Sequence, residues 1–244
     1  MDIPVGLRNE LALGQRKITN FFGSSAPLTL QVGEIVGAVA GCCRGMYRLR
    51  AGWACKFQNL PNGRRAIVDI YVPGDVIGID ALLRNRPLTD VLTLSLATLE
   101  SIPGRDGLME LMADRSISLY FTWLLSEYQR RAHRLLAAIS SLDARGRIAM
   151  MVLDFHARLR RRKLITGSTY SLPLTQVQIG DYLGLTMVHV NRVLRSLRDE
   201  RILSLERHCI TILDLDQLRS LAQRELKPSS NTSSVDHTLE EAAD

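Results

Sequence analysis

Asn191, Arg192 and Arg195 are the side chains whose types and spacing most directly suggest chemistry. At 100° per residue they share one helical face with Val188, while Val190, Val193, Leu194 and Leu197 share the opposite one. An arginine can present two parallel N–H donors to O6 and N7 of a guanine, the commonest specific contact in the major groove. An apolar inner face behind such an outer face suits the second helix of a helix-turn-helix. The preceding residues supply the rest of that motif. Thr175, followed by Gln176, caps a first helix in which Ile179, Tyr182 and Leu183 turn inward. Gly184 provides the turn and Thr186 caps the second helix, whose first residues are Met187, Val188 and His189. His189 lies at the edge of the outer face, where a phosphate contact is favoured over a base contact. The alternative is an ordinary surface helix hairpin, so the flanking elements must decide.

Those elements form an ordered series. Residues 1 to about 30 predict a short helix and a loop. From Thr29 to Pro103, Gly and Pro separate the short runs MYRLR, WACKFQNL, RAIVDIYV and VLTLSLATLESI, with a hairpin expected at Pro61-Asn62-Gly63. In the third run Ile67, Asp69 and Tyr71 alternate with Val68, Ile70 and Val72. Many short strands with such turns predict a barrel or roll. From about Asp106 the period becomes helical, and Ile117, Phe121, Leu124, Tyr128, Leu135 and Ile139 mark an apolar stripe interrupted by Arg130, Arg131 and Arg134. Such a long helix needs a partner, and a second copy in a parallel coiled coil is the expected one; packing on its own domain is the alternative. Asp143 caps the next helix, with Arg158 to Lys163 as its solvated end or, alternatively, a phosphate contact. After the helix-turn-helix, ILSLERHCITILD predicts a hairpin, and so a winged helix.

The expected fold is therefore α+β: a β-roll over 1–105, a dimerisation helix over 106–142, a winged helix-turn-helix over 143–227 and a disordered acidic tail over 228–244.

Charge follows the same division. Residues 143–227 hold 15 Lys and Arg against 9 Asp and Glu, a balance of +6, whereas 228–244 hold 4 acids and no Lys or Arg. A basic C-terminal domain fits a phosphate backbone as partner. No run approaches the roughly 18 apolar residues of a membrane span, and Met1 to Glu10 is no signal peptide, so a cytoplasmic protein is expected. Cys42, Cys43, Cys55 and Cys209 contain no CxxC pair, and adjacent Cys42 and Cys43 would point to opposite faces of a strand. They read as free thiols, and no metal or other cofactor is expected. No nucleophile–base pair or Gly-rich phosphate loop suggests an enzyme.

The segments RAGWACKF, NGRRAIVDIYVPGDVIGIDALL, LDARGRIAMMVL and LTQVQIGDYLGLTMVHVNRVLRSLRDERIL, in that order, resemble the cyclic-AMP receptor protein and fumarate-nitrate regulator (Crp/Fnr) family over roughly residues 30–220. The last segment is the most specific. The resemblance implies a cyclic-nucleotide-binding-like β-roll and a dimeric transcription regulator. Its partners would be double-stranded DNA with a two-fold symmetric operator, a second copy of itself, and RNA polymerase. Two departures bear on the effector. Nucleotide-binding members carry Gly-Glu for the ribose and Arg-Ser or Arg-Thr for the cyclic phosphate; here Gly78-Ile79 and Thr89-Asp90 stand there, with Arg84 and Arg86 nearby. Iron–sulfur members use cysteines near the N-terminus, and this chain has none before Cys42. The effector pocket thus reads as degenerate, and cyclic AMP is not the expected ligand. The recognition helix departs too. Val188 stands where a glutamate commonly reads cytosine, while Arg192 keeps the guanine-reading position. A small-ligand-binding β-roll with a vestigial helix-turn-helix is the other functional class left open.

Overall fold

The structure is a computed structural model that describes residues 5–23, 26–39, 46–61, 63, 65–79, 90–102 and 110–223. Cys42, Cys43, Arg84, Arg86, Thr89 and the acidic tail lie outside the described residues. In chain order come α1 (Val5–Gly23), β1 (Leu28–Leu30), the single turn α2 (Val36–Val39), β2 (Met46–Ala51), β3 (Ala54–Asn59), β4 (Arg65–Tyr71), β5 (Val76–Ile77), β6 (Val91–Thr93) and β7 (Ala97–Ile102). These precede α3 (Arg115–Ser141) and α4 (Ala144–Arg161). The C-terminal part holds β8 (Thr169–Ser171), α5 (Gln176–Leu183), α6 (Met187–Asp199), β9 (Leu203–Glu206), β10 (Cys209–Ile212) and α7 (Leu215–Gln223).

Strands β1-β7-β2-β5 and β4-β3-β6 form two antiparallel sheets around a core of Leu30, Val36, Tyr47, Leu49, Ala54, Tyr71, Ile77, Val91, Ala97 and Leu99. This is the expected roll, and β3 and β4 pair as the expected hairpin. Two details differ from the sequence pattern. The run VLTLSLATLESI divides, β6 pairing with β3 and β7 with β1 and β2. Its break at 94–96 is tied down where Trp53 accepts the Leu94 N–H and donates its own N–H to Ser95 Oγ. Gly52 is required beside that break: its φ is +83°, and a Cβ there would lie 2.3 Å from the Leu96 carbonyl oxygen. Secondly, β4 does not alternate throughout. A bulge lets Lys56 face Asp69 and Phe57 face Ile67, leaving Val68 as the extra residue. Ile67, Ile70 and Val72 consequently enter one core while Tyr71 enters the other.

Helix α1 is longer than the sequence suggested, and it corrects the reading of α3. Leu11, Ile18 and Phe22 of α1 form a core with Ile117, Tyr120, Phe121 and Leu124 of α3. The two helices cross so closely at Gly14 that a Cβ would lie 2.0 Å from the Ser116 carbonyl oxygen. Leu135 joins a second core with α4, Ile139 packs against that core, and Tyr128 Oη accepts the Val76 N–H at 3.0 Å. The stripe Ile117, Phe121, Leu124, Tyr128, Leu135 and Ile139 is therefore held by the chain itself rather than offered to a second copy. Periodicity identified the buried face but not what covers it. About 90° around the helix from this stripe, Thr122, Leu125, Gln129, Ala132 and Leu136 form one exposed row.

The C-terminal part packs directly on the roll. Trp53, Cys55, Ile67, Ile70, Val72 and Leu94 share one core with α4, α5, α6 and the wing strands. Trp53 meets Phe155 edge to face at 5.1 Å, and Phe155 meets Tyr182 at 6.3 Å. Burial pushes the Cys55 thiol up to about 12, so at neutral pH it is a packing group rather than a reactive thiolate.

Beside this core an ion cluster closes the seam. Asp75, 1% exposed, accepts from Arg158 and, at 2.6 Å, from Arg162, with Arg131 at 3.5 Å. The Val72 N–H donates to the same carboxylate at 2.9 Å. Arg158 also donates to the Ile70 carbonyl at 2.9 Å, and Arg162 to Pro73 at 2.6 Å. The expectation of a solvated end at Arg158–Lys163 is thus corrected: Arg158 is buried because Asp75 neutralises it. Burial alone would raise the Asp75 pKa, but the Arg158, Arg162 and Arg131 charges outweigh it and hold the carboxyl well below its usual range.

Asp75→Asn should cost about 3–5 kcal/mol of unfolding free energy, since it strands three guanidinium groups around a neutral side chain. Urea melts at pH 7 measure this, and an unchanged midpoint would contradict the ion-cluster assignment. Folding lowers this pKa, so the stabilisation is complete at neutral pH. It is lost progressively on acidification below the ordinary carboxyl value of about 3.9. The deficit of the Asn variant should shrink over the same acid range.

Candidate nucleic-acid interface

The helix-turn-helix is assembled by short-range rules. Thr175 Oγ1 accepts the Gln178 N–H, and Gln178 Oε1 accepts the Thr175 N–H at 2.8 Å, a reciprocal capping box. Gly184 ends α5 at φ +67°. Thr186 then caps α6 by accepting the His189 N–H at 3.2 Å. Gly180 is a requirement the sequence pattern did not expose. It accepts the Leu185 N–H at 2.9 Å, and a Cβ on it would lie 2.5 Å from the Leu185 carbonyl oxygen. Arg147 fixes the unit to the rest of the molecule. Its guanidinium donates to the carbonyls of Ile139, Leu142 and Leu183, the last carbonyls of α3 and α5.

The two faces of α6 separate as the periodicity predicts. Val190, Val193, Leu194 and Leu197 are buried together with Ile179, Tyr182 and Leu183. On the other side Thr186, Met187, Val188, His189, Asn191, Arg192 and Arg195 are all exposed. Gln176, Met187, Val188, Asn191, Arg192 and Arg195 line one shallow concavity. Asn191 Nδ2 donates to Gln176 Oε1 at 3.0 Å, which couples the two helices and presets the amide. Thr175 stands exposed at the start of α5. Neither Arg192 nor Arg195 has an ion-pair partner among the described residues. By contrast Arg145 is committed to Glu200 through two 2.6 Å hydrogen bonds, which pull that carboxyl down to about 2.

The wing contributes residues that the sequence reading did not single out. Strands β8-β10-β9 form a small antiparallel sheet, and Arg207 and His208 make the two-residue β9–β10 turn at φ +48° and +61°. Both residues are exposed at its tip. Two successive positive φ values belong to the hairpin turn that best suits strand twist, a turn usually built from Asn and Gly.

Of the residues assigned to the degenerate effector pocket, Gly78, Ile79 and Asp90 are described and Thr89 is not. Ile79 is buried in the core under α1 and α3, next to Gly78 at φ +90°. Asp90 is half-exposed with Lys56 Nζ at 3.4 Å. Among the described residues no group of three His, Cys, Asp or Glu could hold a metal, and no helix is long and apolar enough to cross a membrane.

A winged helix-turn-helix with an exposed basic face, joined to a cyclic-nucleotide-binding-like roll, defines a DNA-binding regulator. Comparison with known proteins agrees. Residues 146–221 match the Crp-like helix-turn-helix domain family. The nitrogen fixation regulation protein FixK of Rhizobium meliloti is 28% identical over 176 residues, covering 72% of this chain and 77% of that protein. The anaerobic regulatory protein of Haemophilus influenzae is 24% identical over 215 residues, covering 87% and 81%. The structure of FixK2 from Bradyrhizobium japonicum shares the fold with a TM-score of 0.69 at 22% identity, over 81% of this chain and 96% of that one. Residues 146–221 thus form a Crp-like helix-turn-helix domain, and the chain as a whole is similar to Crp/Fnr-type transcription regulators.

Gly180→Ala should destabilise the C-terminal part by about 1–3 kcal/mol, because the added methyl meets backbone rather than a yielding side chain. Thermal melts followed by circular dichroism test this, and a variant melting with the wild type would show that the turn relaxes freely.

Proposed function

We propose that this protein is a homodimer that reads a two-fold symmetric operator through α6, with Arg192 as its guanine-reading residue. The observation that carries the reading is the exposed, ion-pair-free placement of Arg192 and Arg195 on a helix whose other face is buried. Val188 and Met187 are 62% and 51% exposed at the front of that helix. Apolar side chains in such a place suit thymine methyl groups, and Val188 lacks the acceptor that would select cytosine. Thr175, Gln176, His189, Arg207 and His208 are assigned to the phosphate backbone, where contacts orient the protein without reading sequence. The protein acts on transcription in concert with RNA polymerase.

For the dimer, the seam we propose is the exposed face of α3. Thr122, Leu125, Gln129, Ala132 and Leu136 recur at alternating three- and four-residue steps, the spacing of a coiled-coil seam. Leu125 and Leu136 are 40% and 64% exposed, so a partner would remove apolar surface from water. Leu125→Asp combined with Leu136→Asp should give a monomer in sedimentation and weaken operator binding. A dimer that survives both changes would place the seam elsewhere.

Cyclic AMP is not the effector in this reading. Ile79 is packed under α1 instead of offering a ribose acceptor, and Asp90 would repel a cyclic phosphate. Calorimetry should detect no binding of cyclic AMP at micromolar concentration.

Arg192→Ala should cost about 1–3 kcal/mol on the preferred site and relax preference at one base pair. Val188→Glu should shift the adjacent pair toward cytosine. Arg195→Ala should weaken all sequences alike and reduce the salt slope by about one unit if it meets phosphate only. Uniform weakening by Arg192→Ala, with base preference intact, would overturn the proposed orientation of α6.

A further inference from the structure

A cleft of about 660 Å³ lies where α1, β2, the turn at Pro73–Val76, α3 and α4 meet. Its size is that of small-molecule sites. It lies outside the core of the roll and is walled by the face of α3 opposite the proposed dimer seam. Nine arginine or lysine side chains line it against three carboxylates, those of Asp75, Glu127 and Asp154.

Arg48 and Arg50 pair with Glu100, and Arg131 with Asp69, acids that lie outside the lining, but the remaining cations still outnumber the three carboxylates. Asp75 is occupied by Arg158 and Arg162. Glu127 is held by Arg130 at 2.7 Å and comes no closer than 3.9 Å to Arg161. Asp154 reaches Arg134 at 3.6 Å and Arg158 at 3.5 Å, at or beyond the limit of a hydrogen bond. Lys163 has no carboxylate partner among the described residues. Arg131 is only 9% exposed, yet its Nε has no hydrogen-bond partner among the described residues. That donor is sealed from the cleft, so the charge offered to a ligand comes from the exposed side chains of Arg134, Arg161 and Lys163. Cations gathered in a walled cleft also focus a positive potential on whatever enters it.

The other wall is flat and apolar. Trp123 stacks on Tyr120 with ring centroids 5.8 Å apart, and Phe22 and Leu124 lie beside them. A ligand that uses both walls needs several anionic oxygens at one end and a planar ring at the other.

We propose that this cleft binds a small organic polyphosphate bearing a flat ring, of the nucleoside di- or triphosphate class. Its phosphates engage Arg134, Arg161 and Lys163, and its ring lies along Trp123. The assignment deepens the reading of this protein as a DNA-binding regulator and, for its regulatory consequence, rests on it. The walls belong to the roll, to the long helix and to the first helix of the C-terminal part. A bound anion would therefore tie these three together, and any resulting change in DNA affinity must be matched by an equal effect of DNA on ligand affinity.

The test uses the full chain, without DNA, titrated with ATP, tripolyphosphate and adenosine in calorimetry. ATP should bind, tripolyphosphate more weakly, and adenosine not measurably. ATP should also raise the melting temperature, because it binds only the folded state. Arg161→Ser with Lys163→Ser should weaken ATP at least tenfold while leaving the melting temperature of the free protein within a degree or two. The proposal is overturned if neither ATP nor tripolyphosphate binds, or if the double variant binds ATP as tightly as the wild type. A second measurement, operator affinity without nucleotide, separates the ligand from DNA. It should be the same for the double variant and the wild type, and a loss would assign these cations to the DNA backbone instead. Loss of DNA binding by the wild type would refute the regulator reading while leaving the nucleotide titration decisive for the cleft.

Discussion

The carboxylate of Asp75 is the point on which the arrangement of the molecule depends. It leaves the roll at a tight turn and is surrounded by guanidinium groups from two different helices, Arg131 of α3, Arg158 of α4 and Arg162 at the cap that ends α4. Removing so many charges from water costs several kcal/mol per ion, and the cluster is tolerable only because each arginine also reaches backbone carbonyls or a second acid. That requirement makes the seam selective. A sliding of α4 along the roll would strand charges in a dry environment, so the C-terminal part has one well-defined seat.

Around this polar point the apolar contacts are continuous. Trp53, Phe155 and Tyr182 carry one core from the sheet β4-β3-β6 into the helix-turn-helix. Arg147 closes the other side by taking the terminal carbonyls of α3 and α5. The recognition helix thus reaches solvent from a packed base, with its apolar residues buried and Arg192 and Arg195 without ion-pair partners among the described residues. A change in the roll or in α3 has a direct mechanical route to α6, through packed side chains rather than through a loose linker.

How much of this was legible in the sequence depended on how local the determining interactions are. The helix-turn-helix was readable because caps, glycine turn and apolar spacing all lie within 25 residues, each rule agreeing with the others. Gly180 escaped because the Leu185 carbonyl it must accommodate is visible only in three dimensions. The stripe on α3 is legible as an apolar face, but period does not reveal what covers it; α1 covers Ile117, Phe121 and Leu124 through a crossing that only Gly14 permits, and the core around α4 takes Leu135 and Ile139. The bulge at Val68 hid in an alternating run. Asp75 looked like an ordinary turn residue because the arginines that define it lie more than fifty residues further along the chain, two of them in what read as a solvated basic end. The candidate DNA face was legible residue by residue; the wing tip at Arg207 and His208 was not, since neither residue type marks that turn.

The function of the molecule turns on what α6 reads. Selection of bound duplexes from a random pool by the full-length protein tests it most directly. Enrichment of two inverted half-sites about one helical turn apart is the predicted result. Each half-site should carry a fixed guanine, with no cytosine required at the neighbouring pair. Recovery of a single half-site, of a half-site with an obligatory cytosine beside the guanine, or of no preferred sequence would contradict it.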